Sequence, residues 1–321
     1  MATVELAPEP ATARTTRPAI HVGDDLRSAT APTKLSFRWL GVTRSLSGDQ
    51  KQRAAGAFGA EQEYLRAGKK ILDTNHPAYK AVTAIRSQAR SYWREISLPY
   101  PEPGIRLIPR GKVDQFVTNV ESFRRSLSEA VDELEHHYRS LRDDARRKLG
   151  DLFNASDYPD TLTDLFSIEY EFPSVEPPNY LFRLDPELYE TECSRMRARF
   201  DEAVQLAEQA FLEELGNLVG HLSERLTDDS TGPKVFRDSA VQNFSEFFQR
   251  FRELNVKSNP ELEELVVEAE HVIRGLGPQA LRDNRRLRQQ VVDQLREVGV
   301  GVDSLLVDRP RRRIIRSQEG A

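Results

Sequence analysis

The sequence predicts a mainly α-helical protein: a long antiparallel, coiled-coil-like helical hairpin, a small β-hairpin at its tip, and a small helical bundle behind it. Two stretches, Val113 to Leu149 and Tyr189 to Leu226, carry the prediction, each with apolar residues spaced alternately by three and four for about ten helical turns. The first reads Val113, Phe116, Val120, Phe123, Leu127, Ala130, Leu134, Tyr138, Leu141, Ala145, Leu149, and its Val113, Val120, Leu127, Leu134, Leu141 series has the heptad spacing of a seam. The second reads Tyr189, Cys193, Met196, Phe200, Ala203, Ala207, Phe211, Leu215, Leu218, Leu222, Leu226; successive steps of four from Ala203 to Leu215 break its heptad as a stutter does. Composition agrees: 321 residues with 38% hydrophobic and 30% charged content suit extended, water-facing helices better than a compact α/β core.

The elements follow in order. Residues 1–33, rich in Ala, Pro, Thr and Arg without apolar period, are expected to form a disordered arm. Residues 34–110 form an N-terminal segment: an extended piece at Leu35 to Leu40, helices from Asp49 to about Leu72 and from Asn75 to Ile96, and a proline strap, Leu98-Pro-Tyr-Pro-Glu-Pro-Gly104, that stops the second helix. The long hairpin occupies 111–230. Its first helix closes with Arg146, Arg147, Lys148 and Gly150, cations and a glycine suited to a helix C-terminus. Phe166, Ile168, Tyr170 and Phe172 alternate with polar residues, the period of a strand, and Tyr180 to Leu184 is read as the returning strand of a tip over 154–185. Asp185-Pro186 opens the second long helix. Phe236, Phe244, Phe247, Phe248 and Phe251 mark an amphipathic helix, two more helices follow from Pro260 and Pro278, and the bundle spans 231–299 ahead of a flexible basic tail, 300–321.

A net charge of -5 and a pI near 5.8 argue against a globally basic nucleic-acid or membrane-surface protein. The single cysteine, Cys193, cannot form an intramolecular disulfide, and no apolar run approaches a membrane span or a secretory signal core. A cytoplasmic, non-membrane protein is expected.

Motifs for chemistry are missing from the sequence. It has no phosphate-cradling glycine loop, no nucleophile elbow and no CxxC pair. His136 and His137 are adjacent and so point about 100° apart on a helix, which does not make a metal face. No catalytic, cofactor-binding or metal residue is assigned. Arg86, Arg90 and Arg94 lie at spacing four beside Tyr92 and Trp93, a pattern that can grip phosphates and stack bases; Arg311, Arg312 and Arg313 add basic charge in the tail. Solvated arginines paired with acidic neighbours account for the same pattern.

Leu98-Pro-Tyr, Gly104-Ile-Arg-Leu-Ile-Pro109, Leu149-Gly-Asp-Leu-Phe153, Asp157-Tyr-Pro159, Phe166 and Phe172-Pro173 together give the chain, over about residues 35 to 230, a resemblance to a family of uncharacterised bacteriophage and bacterial proteins. That resemblance implies a mainly helical protein in a phage or mobile-element setting, with some members encoded near AAA-type ATPases. The functional expectation is a non-enzymatic, self-associating interaction protein. Its tip, with Tyr158, Phe166, Tyr170, Phe172 and Tyr180, would dock a protein partner such as an AAA-type ATPase. The alternative is a nucleic-acid-binding accessory protein using Arg86, Arg90, Arg94 and the tail. A third expectation, a hydrolase, would require acidic side chains converging in one pocket.

Overall fold

The computed structural model of the chain describes residues 22–227 and 239–307. It is mainly α-helical with two small antiparallel β-sheets, and no helix among the described residues is long and apolar enough to cross a membrane. α1 (Val22–Ala29) runs directly into β1 (Thr30–Arg38). β2 (Thr43–Ser45) and α2 (Gly48–Ala57) follow, α2 starting on a reciprocal Ser47–Gln50 capping box, and β3 (Gly68–Lys70) then pairs back on β2. α3 (Pro77–Glu95) opens on His76, whose Nδ1 accepts the Ala78 N–H. β4 (Leu98–Pro99) and β5 (Ile105–Pro109) fold into a hairpin through Gly104 at φ 83°. α4 (Val113–Leu149) has the expected length and stops at Gly150 with φ 52°. β6 (Ser167–Glu171), α5 (Asn179–Leu184) and α6 (Pro186–Leu226) come next. α7 (Ser239–Leu254), α8 (Pro260–Ile273), α9 (Pro278–Asp283) and α10 (Arg285–Val307) complete the described chain.

The larger sheet has the order β4-β5-β1-β6 and separates two cores. Side chains alternate across a strand, so Ile105 and Leu107 of β5 join the core built on α6, whereas Ile108 joins the core built on α3 and α4. β1 is staggered: residues 30–34 pair with β5 and residues 34–38 with β6. Pro32 therefore sits where β1 has a neighbour on one side only, the position in which a missing N–H is tolerated.

The seams are buried, but not against each other. α4 sets Phe116, Val120, Leu127, Leu134, Tyr138 and Leu141 against α3 and the sheet, and α6 sets Phe200, Ala207, Leu215 and Leu222 against α10, α1 and α7. The antiparallel coiled-coil hairpin is thus corrected to two long helices in separate cores. The steps of four in α6 explain its choice: Val204, Leu212 and Val219 are buried beside the first stripe, which gives a face too wide for one partner helix.

The β-hairpin tip is corrected as well. Ser167–Glu171 is a strand, yet its partner is β1, with Lys34–Glu171 and Arg38–Glu169 ion pairs across the ladder, and Tyr180 to Leu184 lies in helix α5. Pro173, Pro177 and Pro178 cannot donate to a ladder, which disfavours a tight return. The expected helix to Leu72 ends at Ala57, with Gly59 turning the chain at φ 63°.

The arm expected over 1–33 is ordered from Val22 because Leu26 and the β1 ladder provide tertiary partners that composition does not reveal; residues 1–21 lie outside the described residues. α10 likewise continues through Gly299 and Gly301 to Val307, so residues 300–307 of the expected tail are helical; residues 308–321 lie outside the described residues. Phe244, Phe247, Phe248 and Phe251 are core, meeting Phe211 of α6; Phe236 lies outside the described residues.

Candidate functional site

The five residues expected to form one docking tip are split by the fold. Tyr158 stacks on Phe153 and Phe166 meets Trp39 edge-on at 5.1 Å, both buried in the α3/α4 core. Tyr170 is half-buried, against Phe116 and under the Arg124 guanidinium at 5.1 Å. Only Phe172 and Tyr180 remain at the surface.

Around Tyr180 the structure assembles a different surface. α5 reads Asn-Tyr-Leu-Phe-Arg-Leu, and Tyr180, Phe182 and Leu184 are 62%, 58% and 75% exposed, with Leu181 half-buried. Asn179 and Arg183 are its only polar positions, and a helix otherwise this apolar ordinarily packs on a core. Here it stands as a ridge, extended by exposed Leu188 at the start of α6, with Phe182 edge-on to Tyr189 at 5.5 Å. Its backbone is held firmly. Asp185 N–H donates to Leu181 O at 2.8 Å to close α5, and the Asp185 carboxylate accepts from Glu187 and Leu188 N–H at 3.0 Å to open α6. Upstream, Arg27 of α1 grips Glu176 with two hydrogen bonds of 2.8 and 2.7 Å. Phe182 and Leu184, which in a strand would share the face of Tyr180, and Leu188, beyond that pentapeptide, were not singled out in the sequence, because spacing alone does not tell an exposed apolar residue from a core one.

The arginine stripe is folded into an aromatic ladder. Arg86 lies over Trp39 at 4.7 Å and Arg90 over Phe37 at 5.2 Å, while Arg94 leads away to a cleft between α3, α6 and α7. The flanking aromatics are not free to stack bases: Trp93 is buried with its Nε1 donating to Thr33 Oγ1 at 3.0 Å, and the half-buried Tyr92 accepts from Asn119 at 3.1 Å. Arg311, Arg312 and Arg313 lie outside the described residues.

One cleft of about 310 Å³ does gather Asp132, Asp164 and Glu169, with Arg124 beside them. The Glu169 carboxyl is held below the usual carboxylate range by Ser167 first and Arg38 second, the opposite of what a proton donor needs. Arg124 is spent on Ile168 O and Glu121 at 2.7 Å each. Among the described residues no cluster of three or more His, Cys, Asp or Glu side chains could hold a metal ion. His137 contacts His76 ring to ring at 5.0 Å and Glu133 at 3.1 Å. Cys193 is half-buried beside Tyr189, whose hydroxyl its proximity pushes up, rather than lodged in the core as its stripe position suggests. Comparison with protein-family models, with curated proteins and with solved structures returned no match to this chain.

Proposed function

We propose that the protein is a non-enzymatic interaction or assembly factor whose docking surface is the α5 ridge, in a phage or mobile-element setting suggested by the family resemblance. The observation that carries the reading is the exposure of Tyr180, Phe182 and Leu184 in one short helix closed by Asp185, with Leu188 exposed just beyond it, a concentration of large apolar side chains at the surface that suits a partner. Aromatic side chains supply large contact area at low entropic cost, which suits them to anchor an interface. The partner is a second copy of the chain, another protein such as an AAA-type ATPase, or both in turn.

The triple variant Tyr180→Ser, Phe182→Ser, Leu184→Ser tests this. It alters exposed side chains, of which Phe182 alone makes a ring contact, to Tyr189, so helicity by circular dichroism should be unchanged. Sedimentation equilibrium and affinity capture should show the loss of self-association, of ATPase capture, or of both. Unchanged mass together with unchanged capture refutes the reading. Nucleic-acid binding through Arg86, Arg90 and Arg94 is the competing reading; its sign would be affinity for oligonucleotides that falls steeply with salt and is indifferent to the ridge variant.

A further inference from the structure

Ser97, just beyond the C-terminus of α3, organises a guanidinium that the ridge does not involve. Arg106 of β5 donates from Nε to Ser97 Oγ at 2.7 Å and from Nη2 to Ser97 O at 2.7 Å and Arg94 O at 3.4 Å, and it lies over the Trp93 ring at 6.0 Å. Ser97 Oγ is itself anchored on Trp93 O. The side chain is therefore fixed before any ligand arrives, and its Nη1 has no partner among the described residues. The last carbonyls of α3 give Arg106 partial negative charge. No carboxylate does: neither Arg94 nor Arg106 has an ion pair among the described residues, whereas the third arginine nearby, Arg250, is held by Glu214. Burial first and the Arg94 charge second pull Arg106 down to about 10, so the position is electrostatically uncomfortable as it stands.

Arg94, Arg106 and Arg250 line one half-open cleft of about 170 Å³, whose other walls include Leu98, Phe211 and Leu254; of the two carboxylates that reach it, Glu214 is taken by Arg250 and Glu95 has no ion pair with Arg94 or Arg106 among the described residues. The volume is close to that of an engineered cavity that takes up benzene, ~150 Å³. Two guanidinium groups without a carboxylate partner, beside hydrocarbon from Leu98, Phe211 and Leu254, suit a ligand that joins an anionic group to an apolar body.

We propose that this cleft binds a small organic carboxylate with an apolar body of about benzoate size, its carboxylate bridging Arg94 and Arg106. A charge-assisted, two-arginine contact in a partly desolvated site is stronger than a neutral hydrogen bond, and it relieves the repulsion between the two guanidinium groups. The apolar walls exclude bare phosphate as the better ligand.

Isothermal titration calorimetry of the full chain with sodium benzoate, benzyl alcohol and sodium phosphate tests the assignment. Benzoate should bind at one site, benzyl alcohol and phosphate each at least about tenfold more weakly, the first for lack of charge and the second for lack of an apolar body. Because Arg106 also closes the end of α3, the test uses surface positions instead. Arg94→Gln should weaken benzoate about tenfold, and Ala210→Phe, at an exposed wall residue, should abolish binding by filling the cleft while leaving helicity unchanged. No benzoate binding, equal binding of benzyl alcohol or phosphate, or wild-type affinity in both variants overturns the proposal.

Discussion

Lys69 is the most deeply placed cation with a described ion pair, and its removal has a definite expected cost. Its side chain is 4% exposed and its Nζ lies 2.7 Å from Asp157 Oδ2 and 2.7 Å from Leu152 O; the Asp157 side chain is 17% exposed. The contact ties β3 to the turn that delivers Tyr158 into the α3/α4 core. Lys69→Met leaves a carboxylate and a carbonyl without their donor in a poorly hydrated place. Breaking a buried pair from one side costs ~3–5 kcal/mol; the residual hydration of Asp157 puts this case at the low end, about 3 kcal/mol. Asp157→Leu should cost a similar amount for the opposite reason, an unpaired ammonium. The double variant should recover most of the loss, since replacing both charges with hydrocarbon removes the desolvation penalty along with the attraction. Urea unfolding followed by circular dichroism gives all the corners of the cycle. The reasoning fails if either single variant loses less than about 1 kcal/mol, as an exposed pair would, or if the double variant loses the sum of the singles.

Two further outcomes follow from particular contacts. Tyr138, buried in the α4 face and donating to Pro159 O at 2.9 Å, is pushed up to about 12, chiefly by burial, so the folded protein holds this proton when the unfolded chain has released it. The stability it contributes is fully present below its unfolded value, near 10, and is lost as pH rises through about 12; Tyr138→Phe should flatten that alkaline decline, and an unchanged slope would count against it. Gly23 of α1 meets α6 closely: a Cβ there would lie 2.3 Å from Asp201 Oδ1 and 3.1 Å from Asp201 N. Gly23→Ala should cost about 1–3 kcal/mol by overpacking, and Asp201→Ala should restore part of it in thermal melts; no loss in the single variant would show that α1 docks loosely.

Helix existence was legible in the sequence because the period of a buried face is local information. α4 and α6, the Asp185 cap with Pro186, the Gly150 stop and the Phe244–Phe251 core face all follow from spacing or termini. Partner choice was not legible. A stripe records that something covers it, and the second stripe of α6 at Val204, Leu212 and Val219 only acquires meaning once α1, α7 and α10 are placed around it. Strand partners were hidden for the same reason: β6 pairs with a strand more than a hundred residues earlier. At the candidate surface, Tyr180 was found and Phe182 and Leu184 were not, because a short segment with four apolar residues around Arg183 fits either period and does not reveal exposure. Arg106 was passed over because one arginine in an apolar strand has no motif; its significance depends on Ser97 and Arg94 being brought to it.

β5 and β6 do not pair with each other; β6 joins the sheet through β1, the β4-β5 hairpin is linked to β6 only by way of β1, and α1, continuous with β1, rests on α6. Residues 22–38 thus act as a clasp shared by both halves of the molecule. A chain lacking them would present an open slot with two waiting strand edges, and a synthetic peptide of that sequence supplied in trans should snap it shut, turning the fold into a two-piece reporter of its own assembly.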